Sequence, residues 1–167
     1  TVRELKGEAV PAEEIRPEIN LGLPALIPAG YMPDEQRRLV TYKRISLAAG
    51  EEDLEEIRDE LADCYGFVPE EIDNLLEVIR IRNLLKTMKG RKMGYDGKQF
   101  VISFQFDSPV DPARILKLSQ TVARGVKLTP DFKLVVPLPG LTGQKITTAI
   151  KEILAALRDD RPLAMVK

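Results

Sequence analysis

The chain has 167 residues, of which 44% are hydrophobic and 31% are charged, and its formal net charge is −1. That length suits one domain, and that balance is typical of a folded soluble protein rather than a disordered or membrane-spanning one. Since the net charge gives no general attraction for nucleic acid, any such contact would need a local basic patch.

Cysteine and histidine content narrows the possible chemistry further. The one cysteine, Cys64, excludes an internal disulfide and a thiolate metal cluster, and it suits a reducing cytoplasmic compartment. The chain has no histidine, so catalytic sites built on histidine are excluded too. Because Cys64 follows Leu61 on an amphipathic segment, we predict a buried packing thiol. We predict no catalytic site, no metal and no cofactor here.

The first segment, residues 1–17, resembles the last turns of a helix followed by a proline-interrupted acidic linker. We therefore expect a piece of a longer protein, with a boundary here and one domain over residues 18–167. From Ile19 to Pro28 the residues alternate as in a strand. Two prolines confine that strand to a sheet edge or to a strap around the domain.

Three helices are predicted next, over residues 34–49, 51–65 and 69–88, because apolar residues recur every three or four positions. Leu39 and Ile45 are expected on the buried face of the first of these helices. The hydrophobic pattern then changes to the alternation typical of strands.

The second half contains two predicted strand pairs and two helices. Asp96 and Gly97 separate the first two strands as a hairpin turn, and Asp111 caps a short helix after them. A second strand pair lies within residues 126–139, and an amphipathic helix follows it. The sequence therefore predicts an α+β fold, with three N-terminal helices followed by ββ-α-ββ-α and a small antiparallel sheet.

The segment from residue 139 to 147, PGLTGQKIT, has some features of a phosphate-binding loop. A working loop of that type needs four residues between its glycines and a hydroxyl after its lysine. Here two residues separate Gly140 from Gly143, and Ile146 stands in the hydroxyl position. We therefore predict a plain turn leading into the last helix.

The second helix carries an unusual charge pattern. EEDLEEIRDELAD, residues 51–63, contains eight carboxylates and one arginine, Arg58. At 100° per residue, five of the acids fall within about 100° of each other, opposite the leucines and isoleucine. We call these five the acidic stripe: Glu52, Glu56, Asp59, Glu60 and Asp63. It is either a solvated face that keeps the domain soluble or a surface for arginines on a partner.

A basic stretch follows in RIRNLLKTMKGRK, residues 80–92, which has no acid within it. Its cations could neutralise phosphates, although it has no aromatic residue for stacking on bases. Cations at the end of a helix are also favoured by the helix dipole. The candidate nucleic-acid contacts are Arg80, Arg82, Lys86, Lys89, Arg91 and Lys92.

Several motifs together resemble one known family. They are the proline-punctuated LGLPALIPAGYMP, the Tyr-Lys-Arg-Ile of residues 42–45, and the E-L-x-D-x-[FY]-G-x-x-P pattern from Glu60 to Pro69. The segment covering them, residues 18–90, resembles the C-terminal regulatory (TRCF) domain of bacterial transcription-repair coupling factors, the Mfd proteins. TVRELKGE is similar to the end of the translocase module that precedes this domain.

The resemblance implies a non-catalytic, autoinhibitory role in DNA repair. In that family the parent is an ATP-driven DNA translocase that displaces stalled RNA polymerase and recruits UvrA for nucleotide excision repair, and ATP and Mg²⁺ bind elsewhere in it. The domain clamps an N-terminal UvrB-like module, which is its arginine-bearing partner, and hides the UvrA-binding surface. The family's acidic contacts fall on Glu60 and Asp63, while Cys64 stands where some relatives have arginine. The alternative is a contact with nucleic acid or RNA polymerase through the basic stretch.

Overall fold

The computed structural model describes residues 17–158. Nearly all of the predicted upstream helix end and linker, and the last nine residues, lie outside this range. Among the described residues there are five helices and five strands, which is the α+β fold expected from the sequence. The helices are α1 (Glu35–Leu47), α2 (Glu51–Tyr65), α3 (Glu70–Thr87), α4 (Pro112–Thr121) and α5 (Gln144–Arg158). The strands are β1 (Glu18–Asn20), β2 (Gly90–Tyr95), β3 (Gln99–Phe104), β4 (Lys127–Leu128) and β5 (Lys133–Pro137).

The five strands form one mixed sheet in the order β1-β2-β3-β5-β4. Strands β2, β3, β5 and β4 pair antiparallel, whereas β1 pairs parallel to β2 at the edge. The predicted hairpin joins β2 to β3, where Gly97 adopts a φ of +95° and the Asp96 carboxylate accepts from the Lys98 and Gln99 amides. Alternate residues of β3, such as Phe100 and Ile102, point into a core covered by helices.

A second hydrophobic core lies in the helical half of the molecule. It is formed by residues of α1, α2, the start of α3 and the segment before α1, including Ile45, Leu54, Ile57 and Leu76. Asp34 caps α1 by accepting hydrogen bonds from the Gln36 and Arg37 amides, as its position predicts. The two cores meet along α3.

Helix α3 connects the two halves because its first turns pack into the helical core and its last turns into the sheet core. Ile72 and Leu76 belong to the former, and Ile81 and Leu85 to the latter. A glycine follows where the chain turns into β2, since a Cβ on Gly90 would overlap the side chain of Leu85. Because α3 packs into both cores, it fixes the helical half, which includes α2, against the sheet.

The segment between β1 and α1 wraps the helical half as a strap. The Leu26 amide donates to Glu71 O at 3.2 Å, and the Ile27 amide donates to Tyr42 Oη at 2.7 Å. Asn74, which is buried, donates its side-chain amide to Pro24 O at 3.0 Å. The prediction that the prolines confine this segment to a sheet edge or a strap is therefore confirmed, since β1 lies at the sheet edge and the residues after it form the strap.

One expected core residue of α1 lies on the surface. Leu39 is 59% exposed, whereas Thr41 and Ile45 are buried. The buried face of α1 centres on Thr41, Ile45 and Ala48, which are spaced by four and three residues, and Leu39 projects well away from that line. No helix among residues 17–158 is long and apolar enough to cross a membrane.

Candidate protein interface

Helix α2 is anchored by one face and open to solvent on the other. Leu54, Ile57 and Leu61 are each at most 5% exposed and pack into the helical core. The C-terminal end is fixed by Tyr31, whose single hydroxyl proton is shared between Leu61 O at 3.0 Å and Gly66 O at 2.9 Å. Burial raises the pKa of the Tyr31 phenol, which therefore remains a donor. The apolar anchor fixes which side chains point outward.

All five residues of the acidic stripe are exposed. Among residues 17–158, four of them make no ion pair, and these are Glu52, Glu56, Asp59 and Asp63. The stripe's expected local counter-charge, Arg58, turns instead to α3, where its Nε lies 2.7 Å from Asp73 Oδ1. The exposed face of α2 is therefore more negative than its sequence neighbourhood suggested.

The position of the acids along α2 separates a stabilising role from an interaction role. Glu52 lies in the first turn, where the partial positive charge of the helix end favours a carboxylate. Asp63 lies in the last turn, where the dipole disfavours a carboxylate, and that turn carries no basic residue to offset Asp63 or Glu60, which precedes it by three positions. Local helix stability therefore does not explain the second half of the stripe.

One member of the stripe already has a counter-ion inside the domain. Arg44 Nη1 of α1 donates to Glu60 Oε1 at 2.7 Å, with side-chain exposures of 46% and 52%. This hydrogen bond lowers the pKa of the Glu60 carboxyl and raises that of the Arg44 guanidinium. An exposed ion pair of this kind contributes little to stability because water and salt screen it, so a partner's arginine can displace Arg44 at modest cost.

The opposite flank of α2 is closed by an ion network. Arg80 of α3, whose side chain is 17% exposed, pairs with Glu51, Glu55 and Glu77 at 2.7, 3.2 and 2.6 Å. Lys151 of α5 pairs with the same Glu77 at 2.7 Å. These groups line a groove of about 800 Å³ between α2, α3 and α5, and each of them is held in an ion pair there.

The basic stretch does not form one continuous cationic surface. Arg80 belongs to the ion network described above. Arg82 is half-buried, and its guanidinium donates to Ser46 O. Lys89 pairs with Asp107 at 2.7 Å. The stretch also spans two elements, the end of α3 and the start of β2. Its other members are exposed and make no ion pair within residues 17–158, and these are Lys86, Arg91 and Lys92.

Cys64 is exposed, which corrects the expectation of a buried packing thiol. The residue lies at the margin of the apolar face of α2, one turn after Glu60, and lines a groove between α1 and α2 that is open to solvent. Sequence periodicity placed the thiol on the apolar side but could not show that no element covers the last turn. Within the described part of the chain, no cluster of three or more potential ligands could hold a metal ion.

Comparisons with known proteins place this geometry in a family. The model of the TRCF domain matches residues 21–115, more than half of the chain. The chain belongs to the TRCF domain family. It is 33% identical over 157 residues to the transcription-repair-coupling factor of Myxococcus xanthus, an alignment covering 93% of this chain and 13% of that protein. The Escherichia coli (strain K12) transcription-repair-coupling factor is 38% identical over 117 residues, covering 70% of this chain and 10% of that protein.

A solved structure supports the same fold for this TRCF domain. The crystal structure of the C-terminal domain of a transcription-repair coupling factor superposes with a TM-score of 0.73 at 19% sequence identity. The match covers 87% of this chain and 96% of that chain. In the sequence comparisons, this chain spans only about an eighth of the length of the curated relatives that it matches.

Two residues that shape the surface of this TRCF domain were not predicted from the sequence. Arg44 reaches Glu60 from 16 positions away, and Tyr31 holds the end of α2 from 30 positions away. The turn-by-turn periodicity of α2 carries no information about either contact. The Tyr-Lys-Arg-Ile motif of residues 42–45, which contains Arg44, was the available signal.

Proposed function

We propose that this TRCF domain is a non-catalytic autoinhibitory module of an ATP-dependent DNA translocase that couples transcription to nucleotide excision repair. Residues 18–167 form the regulatory unit, and residues 1–17 are the end of the upstream translocase module and its linker. The acidic stripe binds an arginine-bearing surface of the parent's N-terminal UvrB-like module. That contact covers the surface through which the parent recruits UvrA.

The observation that carries this proposal is the state of the stripe on α2. Four exposed carboxylates lack an ion pair within residues 17–158, on a helix whose other face is buried by Leu54, Ile57 and Leu61. Guanidinium groups match carboxylates on adjacent helical turns because each pair can form two parallel hydrogen bonds. Asp63 has the further feature of lying where the helix dipole disfavours an acid, so a partner's arginine relieves an existing repulsion.

The strength required of this contact is small. A coupling of about 1 to 3 kcal/mol is enough to bias a closed against an open arrangement of the parent. The exposed charges that supply it are screened by salt and can be released when the motor domains move. A weak ionic contact therefore suits a reversible switch better than a large hydrophobic interface would.

The remaining parts of the proposal concern what the domain does not do by itself. The acids of the groove between α2, α3 and α5 are held in ion pairs by Arg80 and Lys151, which suits a structural role rather than proton transfer. ATP and Mg²⁺ act in the parent's motor modules. RNA polymerase, UvrA and DNA are then partners of the parent, in the cytoplasm, and not of this surface directly.

Binding between this chain and the isolated N-terminal module tests the proposal. We expect an affinity that falls steeply with salt and falls about tenfold in Glu60→Gln combined with Asp63→Asn. The control for loss of an exposed acid outside the stripe is Glu152→Gln, on α5, since Glu152 makes no ion pair among the described residues. Equal binding by the double variant and by this control would contradict the proposal.

A contact of the basic stretch with nucleic acid or RNA polymerase is the second candidate. Its support is limited to Lys86, Arg91 and Lys92, which are exposed cations without an ion pair in the described range. A titration of this chain with duplex DNA at low salt separates the two functions. Salt-dependent micromolar binding that is lost on changing these three residues to alanine would favour this candidate.

A further inference from the structure

A groove of about 490 Å³ lies between α1 and α2, beside the acidic stripe. Its floor is formed by buried residues that the domain uses for its own packing, Met32, Thr41 and Leu61. Its walls are Val40 from α1 and Cys64 with Tyr65 from α2. The floor and these walls of the groove are therefore mainly apolar, and polar side chains that include Asp34 and Gln36 complete its lining.

Nothing in residues 17–158 fills this groove. Val40 is 56% exposed and Cys64 is also exposed, whereas the residues of the floor beneath them are buried. Arginines of α1 span the groove at two points, where Arg44 Nη1 reaches Glu60 Oε1 at 2.7 Å and Arg37 Nη1 donates to Tyr65 Oη at 3.3 Å. The walls are thus held apart at a fixed spacing rather than collapsed onto each other.

Glu60 connects the groove to the acidic stripe, because it forms the groove's rim and is also a member of the stripe. Anything bound to the stripe through Glu60 is therefore next to the opening of the groove. On the rim of the groove, Asp34 and Glu60 are paired with Arg37 and Arg44 of α1. The charge beside the opening that favours a cationic partner is that of Glu56 and Asp63, which are exposed on α2 and make no ion pair within residues 17–158.

We propose that the groove receives an apolar side chain from the same arginine-bearing protein segment that the stripe binds. This inference rests on the proposed function and adds a second element to it: the partner segment carries an aliphatic residue next to its arginines. The arginines give orientation and salt dependence, while the aliphatic side chain gives a contribution that salt does not screen. Apolar anchors in a pocket surrounded by polar contacts are the usual source of binding energy at such interfaces.

Two matched variants on α1 test this proposal. Val40→Ser removes an apolar wall of the groove, whereas Leu39→Ser removes a similarly exposed aliphatic side chain, 59% against 56%, that does not line it. We expect Val40→Ser to weaken binding of the N-terminal module about fivefold at both low and raised salt. The affinity of Leu39→Ser should stay within twofold of that of the unaltered domain. Circular dichroism of both variants checks that the helices are intact. Equal affinities of the two variants would overturn the proposal.

The chain's single cysteine provides a second readout, because Cys64 lies in the groove wall. We expect N-ethylmaleimide to alkylate Cys64 readily in the free domain and at least tenfold more slowly in the complex, as followed by mass spectrometry of its peptide. Unchanged alkylation in a complex that still depends on Glu60 and Asp63 would overturn the groove contact and leave the proposed function standing. Absence of any binding would overturn both.

Discussion

Arg44 Nη1 lies 2.7 Å from Glu60 Oε1, so the domain holds one of its own stripe carboxylates with an arginine of its own. Both side chains are about half exposed, and the second oxygen of Glu60 is left for another donor. The arrangement shows how an arginine binds this surface. It also places a positive charge where a partner's guanidinium would have to approach.

The first prediction follows from that competition. Arg44→Gln should tighten binding of the N-terminal module about threefold at low salt, because it frees Glu60 and removes a repulsive charge. The gain should disappear at high salt, where exposed charges are screened. Isothermal titration calorimetry at two salt concentrations measures both effects.

The control for this variant is Lys43→Gln, which removes the same charge from the neighbouring position of α1. Lys43 is exposed and makes no ion pair within residues 17–158. If both variants bind equally well, the effect is one of net charge alone. The prediction that Arg44 competes with a partner's arginine for Glu60 would then be wrong.

The second prediction concerns the stability of α2 in the isolated domain. Asp63→Asn should raise the free energy of unfolding by about 0.3 to 1 kcal/mol, because Asp63 lies at the helix end that disfavours an acid and has no counter-ion among the described residues. Glu52→Gln should leave it unchanged or lower it slightly, since Glu52 lies at the favourable end. Urea unfolding of both variants gives the comparison. Destabilisation by Asp63→Asn would mean that this acid has a structural role.

The third prediction concerns the ion network of Arg80. The hydrogen bond from Arg80 holds the pKa of the Glu51 carboxyl below its ordinary value. This contribution to stability is present above the ordinary carboxyl pKa of about 4.3 and is lost as pH falls through the lower folded value. Arg80→Gln should therefore lower the free energy of unfolding by about 1 to 3 kcal/mol near neutral pH, and by clearly less near about pH 3.

Urea unfolding of the Arg80 variant at the two pH values measures that difference. Arg124→Gln is the matched control, because Arg124 is exposed and makes no ion pair within the described range. A loss for Arg80→Gln that is the same at both pH values would show that packing, and not the carboxylates, accounts for the role of Arg80.

The sequence predicted those features that depend on local periodicity. The helices, the Asp96-Gly97 hairpin and the apolar face of α2 all follow from spacing and turn chemistry within a few residues. Outward orientation of the acidic stripe follows from the same spacing, because burying Leu54 and Ile57 leaves the stripe acids no other direction.

Features that depend on how helices pack against each other were not predictable in this way. Arg80 was counted with the basic stretch, but the crossing of α2 and α3 brings it to Glu51 across 29 positions. Cys64 and Leu39 were expected in the core, yet both are exposed. Cys64 lies at the margin of the apolar face of α2, and Leu39 lies on the side of α1 opposite its buried face. The parallel pairing of β1 with β2 likewise joins two segments separated by three helices.

Basal recruitment of UvrA by the full-length parent protein tests the central claim most directly. Binding of UvrA is measured without nucleotide for the unaltered full-length protein and for its Glu60→Ala and Asp63→Ala variants. Glu152→Ala is the control for loss of an exposed acid. If the stripe holds the UvrB-like module closed, both stripe variants bind UvrA several-fold more tightly than the control does. Basal binding that is the same in all four proteins would contradict the latch.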